Sequence, residues 1–183
     1  MSRSFRSRST GFSMIEVLVS LIIIVIGVLG MVALQSKTIP YTQDSVQRNA
    51  AMMLVDDLVE MIRSAPDDCT TANACLKAPG ASFPEPASDC TPAPPKLSEQ
   101  IGCWAARAST TLPGADKLLG SASFYICKTP KPGDVSSCTT SSTTNADLEI
   151  QVAWTVKSAA DCMTGAGITT EGTCTYRLRT RIK

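Results

Sequence analysis

The sequence predicts an α+β fold in which a long N-terminal helix packs on a small antiparallel sheet within a disulfide-tied head. Three observations predict it. An apolar run over residues 12–34 continues, after a polar interval, into a pattern of helical spacing that stops near Pro66. Two stretches late in the chain, residues 148–157 and 175–183, alternate apolar and polar side chains with the period of a strand. All eight cysteines of the 183-residue chain come after the helix.

The N-terminus divides at Gly11-Phe12. Residues 1–11 form a basic leader with Arg3, Arg6 and Arg8, and Glu16 is the only charged side chain within residues 12–34. Those 23 residues would span about 34 Å as a helix, enough to cross a hydrocarbon core of about 30 Å. A secretory signal carries its small-residue cleavage site after the apolar stretch; here the small residue precedes it, so a cut at that residue would leave the apolar segment in the mature protein. The leader arginines hold the N-terminus in the cytoplasm, and the chain from Gln35 onward is exported. Residues 22–26 are an unbroken β-branched run. Gly27 and Gly30 weaken the helix locally; they read as ordinary membrane-helix glycines or as a site of local unwinding.

Pro40 is expected to kink or interrupt the helix, since it lacks an N–H and clashes with the preceding turn. Beyond it, Val46, Ala50, Met53, Leu54, Leu58, Met61 and Ile62 are expected to form one buried stripe, with Gln43, Gln47, Arg48, Asp56, Glu60 and Arg63 on the other face. Pro66 and Asp67 end the helix. The expected divisions are therefore a leader over 1–11, a membrane helix over 12–34, an amphipathic half over 35–66 and a head over 67–183.

Within the head, residues 78–95 hold six of the eleven prolines and read as an extended loop, held by Cys90 and Cys75. Leu97, Ile101, Trp104, Ala105 and Ala108 repeat at helical spacing, and Leu112-Pro113-Gly114 stops that second helix. Residues 121–128 are a strand candidate with Ala122, Phe124 and Ile126 on one face. The Ser/Thr-rich residues 136–145 read as a flexible loop. Leu148, Ile150, Val152, Trp154 and Val156 mark the clearest strand, and Tyr176, Leu178, Thr180 and Ile182 the last. These two most simply pair as antiparallel neighbours.

An even cysteine count, no C-x-x-C spacing and no histidine favour disulfides in an oxidising compartment over a metal site. A bridge between Cys162 and Cys174 would staple the loop between the last two strands, for about 3 kcal/mol. Cys69 and Cys75 are further candidates, and the remaining connectivity is open.

The absence of histidine excludes Ser-His-Asp and Cys-His chemistry. Net charge is +1, and removing the three leader arginines leaves −2, which offers no bulk attraction to nucleic acid. There is no phosphate loop, no nucleophile elbow and no metal-ligand cluster, so no enzyme activity and no cofactor is expected. Glu16 has two readings. One turn from the interface, an acid is cheap and favours a helix N-terminus; deeper in a bilayer it would cost roughly 2.5–3.5 kcal/mol and needs a reason. With Gly11-Phe12 and the basic leader, the functional reading prevails: cleavage frees an α-ammonium on Phe12, and Glu16 is the only anion at that depth. Arg177, Arg179, Arg181 and Lys183 form a basic row on a candidate edge strand, read as a solvated face that discourages aggregation. An acidic partner or DNA is the alternative, and only Tyr176 is near to stack on bases. Asp56, Asp57 and Glu60 read as a polar helix face. Trp104 and Trp154 read as core anchors.

The leader, Gly11-Phe12, Glu16 and the apolar helix resemble the type IV pilins and the pseudopilins of type II secretion. The likeness to minor pilins rests on residues 11–35, residues 48–63, and the order Trp104, Leu112-Pro113-Gly114, Val152-Ala153-Trp154. Residues 65–90 and the Ser/Thr loop depart from it. The resemblance implies a type IV pilin-like fold, cleavage by prepilin peptidase between Gly11 and Phe12, and N-methylation of Phe12. It implies pairing of Glu16 with a neighbouring subunit's N-terminal amine. It further implies partnership with other minor and major pilins and a large tip adhesin. The protein would sit in the inner membrane with a periplasmic head, then join a fibre or its tip. Competing readings are a type II secretion pseudopilin, a secreted disulfide-rich binding module cut near Met31-Val32-Ala33, and a membrane-anchored hydrolase.

Overall fold

Helix α1 (Met14–Ser64) passes through Pro40 without a break, so of the kink or interruption expected there the interruption does not occur. One missing N–H and its clash cost about 3 kcal/mol, but a break would also require a second, costly nucleation. The computed structural model describes residues 11, 13–70, 73–140, 146–162 and 172–182. The chain divides into two compact units, Met1–Pro40 and Tyr41–Lys183.

In the first unit, the described side chains of residues 13–39 are exposed, the apolar ones included: Ile22 is 58% and Leu34 71% accessible. Among the described residues, nothing covers them. In the second unit, α1 ends at Ser64, and Pro66 opens the short α2 (Pro66–Thr70), a first-turn position where its missing N–H is harmless.

Of the expected stripe, Leu54, Leu58 and Ile62 are buried and Ala50 and Met61 pack half-buried against the core, but the buried face is turned away from Val46 and Met53. Ala51, Leu54, Val55, Leu58, Val59 and Ile62 enter the core, whereas Val46 and Met53 are 58% and 71% exposed. Both sets follow helical spacing, because this half of α1 is apolar on two faces and sequence spacing alone does not choose between them. Leu54, Leu58 and Ile62 belong to both descriptions. They meet Leu97, Ile101, Trp104, Ala105 and Ala108 of α3 (Leu97–Thr111) in one core cluster. The Trp104 indole N–H donates to the Leu54 carbonyl at 2.7 Å, fixing α3 against α1. Gly102 is required on α3 because a Cβ there would meet the Glu85 carbonyl of the proline-rich segment.

α3 stops at Leu112, and Gly114 then takes φ +67°, a left-handed turn open to glycine, before the single turn α4 (Ala115–Leu118). Three strands follow, β1 (Tyr125–Thr129), β2 (Asp147–Thr155) and β3 (Thr173–Thr180), in an antiparallel sheet of order β1-β2-β3. β2 and β3 pair as neighbours, with Leu148 opposite Thr180 and Trp154 opposite Cys174. The first strand is shorter than expected: residues 121–124 form a turn closed by the Phe124 N–H donating to the Ser121 carbonyl at 3.4 Å, and Ala122 is exposed. The inner face, Leu148, Ile150, Val152 and Trp154, joins the core with Phe124 and Ile126.

Four disulfides tie the head: Cys69–Cys75, Cys90–Cys103, Cys127–Cys138 and Cys162–Cys174, with Cα separations of 4.9, 5.8, 5.5 and 5.6 Å. Cys90 anchors the proline-rich segment to α3, and Cys75 closes a short loop back to α2. The Ser/Thr-rich loop lies within the described residues only to Thr140; there, a 3₁₀ turn over Val135–Ser137 leads to a Thr139 bridge with Lys128. Residues 141–145, and the centre of the Cys162–Cys174 loop, lie outside the described residues. The α+β architecture, an apolar N-terminal helix with a disulfide-tied three-stranded head, fits a type IV pilin-like fold.

Candidate functional site

Two places carry the residues that sequence singled out. The first is the start of α1. Gly11 is exposed, and Phe12 lies outside the described residues, as does the leader before Gly11. The Ser13 carbonyl accepts from the amides of Glu16 at 3.0 Å and Val17 at 3.3 Å, which starts the helix. Glu16 therefore stands in the first turn, exposed, at the positive end of the helix dipole, where a carboxylate is favoured. From there the apolar stretch begins, and α1 is the only helix among the described residues long and apolar enough to cross a membrane. Chemically, an α-ammonium released at Phe12 would lie four residues from this carboxylate.

The second place is the outer face of the sheet. Arg177 and Arg179 are half-buried and Arg181 is exposed, and the three share two carboxylates of β2. Glu149 is fully buried. It accepts from the Tyr125 hydroxyl at 2.7 Å and from the Gly133 amide at 3.0 and 3.1 Å. It also pairs with Arg177 at 3.4 Å and Arg179 at 3.6 Å. Asp147 pairs with Arg179 at 3.5 Å and Arg181 at 3.2 Å. Burial, reinforced by the hydrogen bond to Glu149, pushes the Tyr125 hydroxyl above its usual pKa. Lys183, fourth in the row, lies outside the described residues. Sequence reading missed Glu149 because it occupies the polar phase of an alternating strand. A signal existed: setting the two late strands antiparallel places Glu149 opposite Arg179.

Three other charged residues, Asp44, Lys77 and Lys128, are buried without having been singled out. Asp44 pairs with Arg48 at 3.5 Å, and the Arg48 guanidinium lies 5.7 Å from the Trp154 ring centroid. Lys77 donates to the Phe124 carbonyl and sits 4.7 Å from the Phe83 ring. Burial pushes its amine down to about 8. Of the acidic trio on α1, Asp57 pairs with Arg107 at 2.7 Å and Glu60 with Arg63 at 2.9 Å, all well exposed, as on an ordinary polar face. Trp104 and Trp154 are buried. A groove of about 330 Å³ between α1, α3 and the proline-rich segment is lined by Met61, Pro94, Gln100, Trp104, Arg107 and the Cys90–Cys103 bridge. Among the described residues, no cluster of three or more Cys, Asp or Glu side chains is placed to hold a metal.

The prokaryotic N-terminal methylation motif matches residues 6–32. Neither the curated proteins nor the solved structures gave a match. The motif covers Gly11, Phe12, Glu16 and most of the apolar run. It implies processing by prepilin peptidase and assembly with other pilins, and it suggests a structural protein rather than an enzyme. The apolar helix is consistent with membrane anchoring and incorporation into a pilus. Motif and apolar helix together support a type IV pilin-like prepilin.

Proposed function

We propose that this chain is a minor pilin of a type IV pilus, most like the minor pilin PilV. Prepilin peptidase cuts between Gly11 and Phe12, and Phe12 is then N-methylated. The N-terminus faces the cytoplasm, the helix crosses the inner membrane, and the head is periplasmic. Glu16 pairs with the N-terminal amine of a neighbouring subunit as the helix moves from lipid into the fibre. Together with other minor pilins the subunit primes assembly and occupies the tip, supporting twitching motility and display of a large tip adhesin. The observation that carries this reading is the exposed apolar half of α1, bearing a lone acid in its first turn, within the methylation motif.

The test is made in native cells. Sheared surface fibres contain the mature chain, and deleting it lowers the number of fibres and abolishes twitching. The Glu16→Ala variant is processed but missing from the fibres. If deletion leaves fibres and twitching intact and blocks export of secreted proteins, the chain is instead a type II secretion pseudopilin.

A further inference from the structure

The two edges of the sheet are unlike. On the β1 edge, Ile126 exchanges both backbone hydrogen bonds with Lys77, at 2.7 and 2.9 Å, and Lys128 exchanges both with Thr139 at 2.9 Å. The outward groups there are satisfied. On the β3 edge the phase is set by the Val156 amide, which donates to the Gly172 carbonyl at 2.7 Å. In that register the bonded pairs are Trp154–Cys174, Val152–Tyr176, Ile150–Leu178 and Leu148–Thr180. The N–H and C=O groups of Arg177 and Arg179 therefore point away from β2. Among the described residues, nothing bonds to them.

Among the described residues, β3 also lacks the devices that close an edge. It contains no proline, and its register with β2 is continuous, without a bulge. Its arginines do not guard the edge, because they lie back across the sheet. Arg177 reaches the Gln151 side-chain carbonyl at 2.7 Å, and Arg179 reaches the Thr129 carbonyl of β1 at 2.8 Å.

We propose that the β3 edge at Arg177 and Arg179 is a docking site for an extended, acid-bearing segment of a partner protein, which adds as a fourth strand. Main-chain hydrogen bonds would give the affinity and side-chain rows the selectivity. Two rows cross the outer face, Tyr125–Gln151–Arg177 and Cys127–Glu149–Arg179, and each ends in an arginine at the open edge. With Arg181, three guanidiniums share the two carboxylates of Asp147 and Glu149, so the edge keeps an excess of positive charge. A second copy of β3 is excluded as the occupant: edge to edge, it would set arginine beside arginine. A segment with Asp or Glu at alternate positions would continue each row with alternating sign. The inference rests on the sheet and not on the pilin reading.

The test is amide hydrogen exchange on the full-length protein in detergent micelles. The probes are a synthetic heptapeptide with Glu at alternate positions among Thr and Val, and its Lys counterpart. In the protein alone, the Arg177 and Arg179 amides exchange fast while those of Tyr176 and Leu178 are protected. The Glu peptide slows the two arginine amides at least tenfold, and the Lys peptide does not. Four protected amides in the protein alone would overturn the open edge. Protection by neither peptide, or equally by both, would overturn the acidic docking site.

Discussion

The two halves of α1 are built from similar apolar residues and meet different fates. Over residues 14–34 every described side chain is exposed, and the only charge is Glu16. Over residues 51–62 the helix buries Ala51, Leu54, Val55, Leu58, Val59 and Ile62 in its own head. The difference lies in periodicity. The first half is apolar all round, which suits lipid or the interior of an assembly; the second alternates with charge and needs only one covered face. Hydrophobicity in one half of this helix therefore serves folding, and in the other it is consistent with membrane anchoring and incorporation into a pilus.

That contrast can be broken most forcefully at Trp154, which is fully buried. Trp154→Ala is expected to destabilise the head by about 3–5 kcal/mol, read by chemical denaturation of the full-length protein in micelles with disulfides intact. Ile24→Ala in the apolar half should leave that midpoint unchanged; a comparable loss there would mean that the halves are not separate in role. A sharper version stays within the second half. Leu58→Ala should cost about 2–4 kcal/mol, and Met53→Ala, on the exposed face, less than about 0.5 kcal/mol. Equal losses would restore the stripe expected from sequence spacing.

The outer face of the sheet gives the next effect. Glu149→Gln leaves Arg177 and Arg179 facing a neutral group and should cost about 2–3 kcal/mol. Adding Arg179→Gln should recover part of that loss, because one unpaired charge is removed; strictly additive losses would show that the pair is not coupled.

The smallest effect is a pH dependence at Lys77. Its amine is held down at about 8, so above that pH the unfolded chain keeps a proton that the folded one has lost. Stability rises with pH in this window, from about 8 toward the ordinary lysine value near 10.5. Tyr125, whose hydroxyl is raised by burial, opposes the trend above pH 10.0, where the unfolded phenol ionises first. Between pH 7.5 and 9.5 the wild type should gain about 2 kcal/mol relative to Lys77→Met. Parallel stability curves would remove the buried amine as the cause.

Much of this fold is legible in the sequence, because the signals are local. The five apolar positions of α3 repeat at one spacing, and all five are buried. The late strands alternate cleanly and pair as their patterns suggest. What escapes is whatever depends on a partner distant in sequence. Val46 and Met53 fit the helical period as well as Leu58 does, and only the placement of α3 and the sheet decides which face is covered. Glu149 looks like a solvated strand residue until Tyr125, Gly133 and the arginines close over it. Lys77 stands in an irregular stretch whose pairing with Ile126 no local pattern announces. Around Glu16 the position is reversed: the motif is clear in the sequence, while the subunit it would meet lies outside this chain.

Intact mass with N-terminal sequencing of the protein from native cells reads the fate of the N-terminus directly. A processed pilin-like subunit begins at Phe12, one methyl group heavier than the unmodified segment and eight hydrogens lighter for four disulfides. A chain beginning near Leu34 would contradict that processing. Glu16 and the apolar half of α1 would then be absent from the mature protein, and the head would be a released, disulfide-rich module.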